Sequence, residues 1–118
     1  MYKNIRFEGN QNNVRKFLIA SDLYIMPSLF EGISITTIEA MACKIPAILY
    51  DVPGLKDFNN DGENSILIKE DYQILEKTVI SIFTKQKNTD EMIASAINFV
   101  NSNYSMKKNV EHIYNLYL

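Results

Sequence analysis

The chain has 118 residues, 47% of them hydrophobic, enough for one core that hides roughly two-thirds of the unfolded surface, which predicts a single domain. Twelve basic against fourteen acidic residues give a net charge of −2, and no Lys/Arg cluster exceeds Lys107-Lys108, so the electrostatic footprint of a nucleic-acid binder is missing. A single cysteine, Cys43, excludes an intramolecular disulfide and a multi-Cys metal site, and no window holds the ~20 apolar residues of a membrane span, so the expectation is a soluble protein of a reducing, cytoplasmic compartment.

Taken in chain order, "YKNIRFEG" alternates, with Ile5 and Phe7 opposite Asn4, Arg6 and Glu8, the pattern of an edge strand with one wet face. Asn12 and Asn13 offer N-caps for a helix over "VRKFLIAS", where Val14, Phe17 and Leu18 share a face. The unbroken apolar run "LYIM" predicts a central strand ending at Pro27. After the loop "SLFEG" comes a helix with Ile35, Ile38, Met41 and Ala42 on one face, and then "PAILYD" as another apolar strand. The Gly/Asn/Asp-rich "DVPGLKDFNNDGEN" is a long connection and "SILIK" a short strand. Three amphipathic helices fill residues 71–118, with apolar sets Ile74/Leu75/Val79/Ile82/Phe83, Met92/Ile93/Ala96/Ile97/Val100 and Val110/Ile113/Tyr114/Tyr117. Strands alternating with helices predict an α/β fold, an open parallel Rossmann-like sheet with flanking helices, whose ligands gather at the carboxyl ends of the strands.

Those ends are the loops at Gly9-Asn10-Gln11, at Pro27 to Gly32 and at Asp51 to Gly54. In "SLFEGISITTIEAMA" two glutamates stand eight residues apart amid uncharged residues. The helix opening at "EGIS" has unpaired N–H groups and about half a positive charge at its start, suited to a phosphate or diphosphate. Gly32 lets such a ligand approach the backbone. Eight residues turn a helix through roughly 800°, leaving Glu31 and Glu39 within about a quarter-turn of one face. Each carboxylate can accept from vicinal hydroxyls, so the pair suits a ligand with sugar, diphosphate and ribose in line.

The stretch "PSLFEGISITTIEAMACKIPAILYDVPGLKDFNNDGENSILI" resembles the signature of retaining, nucleotide-sugar-dependent glycosyltransferases of the GT-B fold (glycosyltransferase family 4, or group 1), whose hallmark is an E-x7-E motif. The resemblance runs from "IRFEGNQNNVRKFLIASD" to "NYSMKKNVEHIYNLYL", essentially the whole chain. It implies a partial, truncated C-terminal donor-binding domain over residues 1–118, transfer of a hexose from a nucleoside diphosphate sugar with retention, and no metal or other cofactor. Carried over, Glu31 takes the catalytic-site position, contacting donor-sugar hydroxyls without need to act as a base, and Glu39 holds the ribose. The backbone of Gly32, Ile33, Ser34 and Ile35 faces sugar and diphosphate, and Gly9, Asn10 and Gln11 lie beside the base. The sequence departs from the family pattern at Thr36 and Thr37, at Ser65 in place of a common glycine, and at Met106 where tryptophan is frequent.

A whole enzyme of this class also has an N-terminal acceptor domain and two opening β-α units that supply basic diphosphate ligands, and neither matches here. In the family's strand order 3-2-1-4-5-6, "IRFEG" is strand 3 and "LYIM" strand 4. The expectation is therefore a monomer in which "IRFEG" moves beside "LYIM", or a homodimer that covers the exposed sheet edge. Other readings stay open: a sugar-nucleotide epimerase of the same fold, or a receiver-like signalling module with Asp51 as phospho-acceptor. His112, the lone histidine, reads as a surface residue, and Tyr104 to Tyr117 as core packing rather than base stacking.

Overall fold

A computed structural model describes residues 3–59 and 62–116, apart from the side chains of Asn109, His112 and Leu116. Asn60, Asp61 and Tyr117, and the side chain of His112, therefore lie outside the described residues. The elements run α1 (Arg15–Ile19), β1 (Tyr24–Met26), α2 (Ile35–Ala42), β2 (Ala47–Tyr50), a 3-10 turn (Lys56–Phe58), β3 (Ile66–Ile68), α3 (Tyr72–Phe83), α4 (Asp90–Asn103) and α5 (Met106–Leu116).

The strands form one parallel sheet in the order β1-β2-β3, with Tyr24 opposite Ala47 and Ile48 opposite Ile66. All of β2 is buried, as its uninterrupted apolar run requires of a strand covered on both faces. On one face Ala47 and Leu49 pack with Met41 of α2, Leu55, Phe58, and Ala96 and Val100 of α4. On the other, Ile48, Ile66 and Ile68 pack with Leu75, Val79 and Ile82 of α3. Asp71 begins α3 by accepting from the Gln73 and Ile74 amides, a side-chain cap worth about 1 kcal/mol. Tyr104 rests against Phe58 at 5.8 Å between ring centroids and Phe99 at 5.9 Å, a packing role as expected, whereas Tyr114 on α5 is exposed.

Four local expectations are corrected. Residues 5–9 form no strand: Ile5 and Phe7 are exposed, and nothing pairs with β1 on the side away from β2 among the described residues. Two alternating apolar residues cannot hold a strand that has neither a ladder partner nor a covered face. The rearrangement that places "IRFEG" beside "LYIM" is thus absent, and "LYIM", expected as a central strand, contributes β1 as an edge of the sheet among the described residues. Neither Asn12 nor Asn13 caps α1; Val14 takes the N-cap position with no side-chain cap bond. The face that α2 buries is Thr37, Ala40 and Met41, while Ile35 is 67% exposed. The small Ala40 lets the helix sit close, and the Thr37 hydroxyl has an internal partner described below. Finally, the apolar face of α5, with Met106, Val110 and Ile113, is exposed rather than packed into the core.

Candidate functional site

The connection from β1 to α2 carries the paired carboxylates. Glu31 is half-buried ahead of the helix, and Glu39 is exposed in its second turn. Among the described residues neither carboxylate makes a hydrogen bond or ion pair, so both are free to accept from a ligand. Between them Gly32, Ile33 and Ile35 are exposed and Ser34 is 3% exposed. The helix begins with its Ile35 and Thr36 amides unpartnered among the described residues, because the earliest bonds run from the Thr37 and Ile38 amides to the Ser34 carbonyl at 3.1 and 3.2 Å. Donors of this kind at the positive end of a helix suit an anionic group.

Ser34 is the N-cap residue, yet its side chain caps nothing. The Thr37 hydroxyl donates to Ser34 Oγ at 2.8 Å and stands 3.4 Å from the Tyr24 hydroxyl, so a buried polar link joins β1 to the first turn of α2. Thr37 departs from the family pattern, and this link gives its hydroxyl a place inside an otherwise apolar layer.

Glu39 also lines a cleft of about 360 Å³ between α1 and α2, with Arg15, Leu18, Ile19, Cys43 and Lys44 around it; Glu31 is not part of it. Its apolar floor and charged rim can take a flat, hydroxylated group. Gly9, at φ +63°, and Asn10 are exposed in the irregular segment before α1, and Gln11 donates to the Glu8 carbonyl. Asp51 is exposed at the carboxyl end of β2, and its amide donates to the Ile68 carbonyl at 2.8 Å. Neither segment shares the cleft beside Glu39.

One residue escapes a reading of spacing and charge. Gly54, at φ +89°, lies so close beneath the loop that an added Cβ would fall 2.2 Å from the Glu31 carbonyl oxygen and 2.6 Å from that of Gly32. The Pro53-Gly54 pair was the available signal, since a turn with φ above zero at its third residue selects glycine there.

Known proteins resemble this chain in sequence and fold. TuaC of Bacillus subtilis is 26% identical over 106 residues, covering 90% of this chain and 27% of that protein. A UDP-Gal:α-D-GlcNAc-diphosphoundecaprenol α-1,3-galactosyltransferase of Escherichia coli is 26% identical over 125 residues, covering 98% of this chain and 30% of its own length. Among solved structures, Anabaena HepE in complex with UDP-glucose superposes with a TM-score of 0.87 at 18% identity, over 98% of this chain and 32% of that one, a likeness of fold. The chain thus spans less than a third of the length of these proteins. The profile of the family "Glycosyl transferases group 1" matches residues 2–99, which include both glutamates, the helix between them and Gly54; the receiver reading of Asp51 falls away, and the chain belongs to the group 1 glycosyl transferases as part of a GT-B domain.

Proposed function

We propose that these residues form the donor-binding part of a retaining glycosyltransferase, which takes a hexose from a nucleoside diphosphate sugar. The observation that carries the reading is the pair of unpartnered carboxylates, Glu31 ahead of α2 and Glu39 in its second turn, on either side of a helix start whose first amides are also unpartnered. In this reading Glu39 accepts from the ribose hydroxyls, Glu31 from the sugar, and the amides of Ile35 and Thr36 meet the diphosphate. Charge that grows on the leaving diphosphate is stabilised by dipoles already in place, which lowers the barrier without a protonation step. The solved complexes of HepE with UDP and with UDP-glucose support a nucleotide sugar as the ligand class. Glu31 and Glu39 act by position, holding the sugar and ribose in line. No metal is required by this assignment.

Titration of the chain with UDP and UDP-glucose, followed by NMR, tests the proposal. Binding with a dissociation constant on the order of 1 mM, about 4 kcal/mol, is expected, because only part of the site is present. Shifts should centre on Gly9 to Gln11 and Gly32 to Ile35. Shifts confined to other segments, or none at tens of millimolar nucleotide, would overturn it. With nucleotide sugars and candidate acceptors the 118 residues alone should release no glycoside, since they span less than a third of the length of their relatives.

A further inference from the structure

The nucleotide-sugar reading leaves one arrangement unused, and it concerns a residue that touches no ligand. A serine at an N-cap ordinarily turns its oxygen onto the amide of the second or third helical residue, occupying a donor that an anion would otherwise take. Ser34 holds that position but does not do this. Its Oγ is engaged by the Thr37 hydroxyl at 2.8 Å, and Thr37, 0% exposed, is in turn 3.4 Å from the hydroxyl of Tyr24 on the neighbouring strand. At the same time the Ile35 and Thr36 amides have no partner among the described residues. These two facts belong together.

We infer that Thr37 is a positioning residue that holds the Ser34 hydroxyl away from the start of α2, so that the helix's own cap does not compete with the diphosphate for the free amides. The inference rests on the donor-binding reading and adds a residue to it. Ser34 is 3% exposed, so its oxygen has no ready access to water. Deprived of the Thr37 hydroxyl, a buried Ser34 hydroxyl must find another partner, and the first-turn amides are the nearest donors on its own helix. The helix would become better capped and the anion site poorer. Tyr24 adds a contact from β1, its hydroxyl standing 3.4 Å from that of Thr37.

Thr37→Val, which keeps the shape and removes the hydroxyl, is the test. In the ligand-free variant, amide hydrogen exchange at position 36 should slow at least threefold, and the dissociation constant for UDP, with inorganic pyrophosphate as a second probe, should rise at least threefold. Adding Ser34→Ala to Thr37→Val removes the competing cap and should return both readings to the wild-type values, which a merely structural role for Thr37 would not do. Unchanged UDP affinity in Thr37→Val, or no recovery in the double variant, overturns the inference. Should Thr37→Val not fold, the wild-type chain still decides: Ile35 and Thr36 amides already protected before ligand is added would overturn it, and fast exchange that slows on adding pyrophosphate would support it. A wild-type chain that binds neither UDP nor pyrophosphate overturns the donor-binding reading, while the ligand-free exchange of Thr37→Val separately judges whether Thr37 holds the cap away.

Discussion

Gly54 and Glu31 meet backbone to backbone: no side-chain atom could stand between the Gly54 Cα and the Glu31 carbonyl, because a Cβ there would lie 2.2 Å from that oxygen. The loop after β2 therefore props the loop after β1, and the height at which Glu31 sits is set by a residue with no functional group. Gly54→Ala combines this clash with the strain of φ +89°, which an L side chain rarely adopts. A loss of about 2–3 kcal/mol is expected. In a domain of this size that lowers Tm by roughly 10 °C, and the UDP-induced shifts at Gly32 to Ile35 should vanish with it. A Tm unchanged within about 2 °C would show that the loop yields freely.

The two carboxylates should separate by ligand. Both are unpartnered, so Glu31→Gln and Glu39→Gln should each leave stability within about 0.5 kcal/mol of wild type. Glu39→Gln should weaken UDP and UDP-glucose alike, by about tenfold, the effect of losing a charged acceptor. Glu31→Gln should spare UDP and weaken only UDP-glucose. Parallel losses for both ligands in both variants would contradict the division of roles.

A stabilising change is available where α2 ends. Lys44, at φ +65°, occupies the left-handed position that follows a helix, with the Ile45 amide reaching the Ala40 carbonyl at 3.2 Å and the Lys44 amide the Met41 carbonyl at 3.1 Å. This is a Schellman closure, completed by apolar contact between Ile45 and Ala40, with lysine where glycine is preferred. Lys44→Gly should raise stability by about 0.5–1 kcal/mol in urea denaturation, with the slope unchanged.

Two adjacent buried polar residues should respond in opposite ways. Asn64, 1% exposed, donates to the Phe58 carbonyl at 3.2 Å and accepts from Ser95 Oγ at 2.7 Å, tying the 3-10 turn to α4. Ser65, also 1% exposed, has a hydroxyl with no partner among the described residues. Asn64→Ala should cost about 2–3 kcal/mol by stranding its partners, whereas Ser65→Ala should be neutral or stabilise by up to about 1 kcal/mol. Comparable losses in the two variants would mean that Ser65 Oγ is satisfied in solution.

Much of this architecture was legible because it is written locally. Ile48 and Leu49 lie in an unbroken apolar run and form a strand buried on both faces, and Leu75, Val79 and Ile82 follow the helical period that α3 uses against the sheet. The angular argument for Glu31 and Glu39 does not carry over, because α2 starts only at Ile35 and Glu31 lies ahead of it, so eight residues between the two do not fix an angle. What else failed depends on partners distant in sequence. Ile5 and Phe7 alternate correctly but have no strand beside them, so the pattern stays unused. The buried face of α2 was misjudged at Thr37, which counts as polar in any periodicity yet is satisfied by Ser34 and Tyr24. The positive φ of Gly54 could be read from Pro53-Gly54, but its close approach to Glu31 joins two loops more than twenty residues apart, which no local pattern encodes.

The packing of α2 on α4 has a consequence during synthesis. Met41 packs in one cluster with Ala96 and Val100, so the helix that carries Glu39 is anchored by residues translated long after it. At ordinary elongation rates its second half of support emerges on the order of seconds later. Until then Glu39 rides on a helix too short to persist alone, and the nascent chain carries the motif without the geometry. A ribosome paused before residue 90 thus holds a polypeptide in which Glu31 and Glu39 are already translated while α2 still lacks α4 against it.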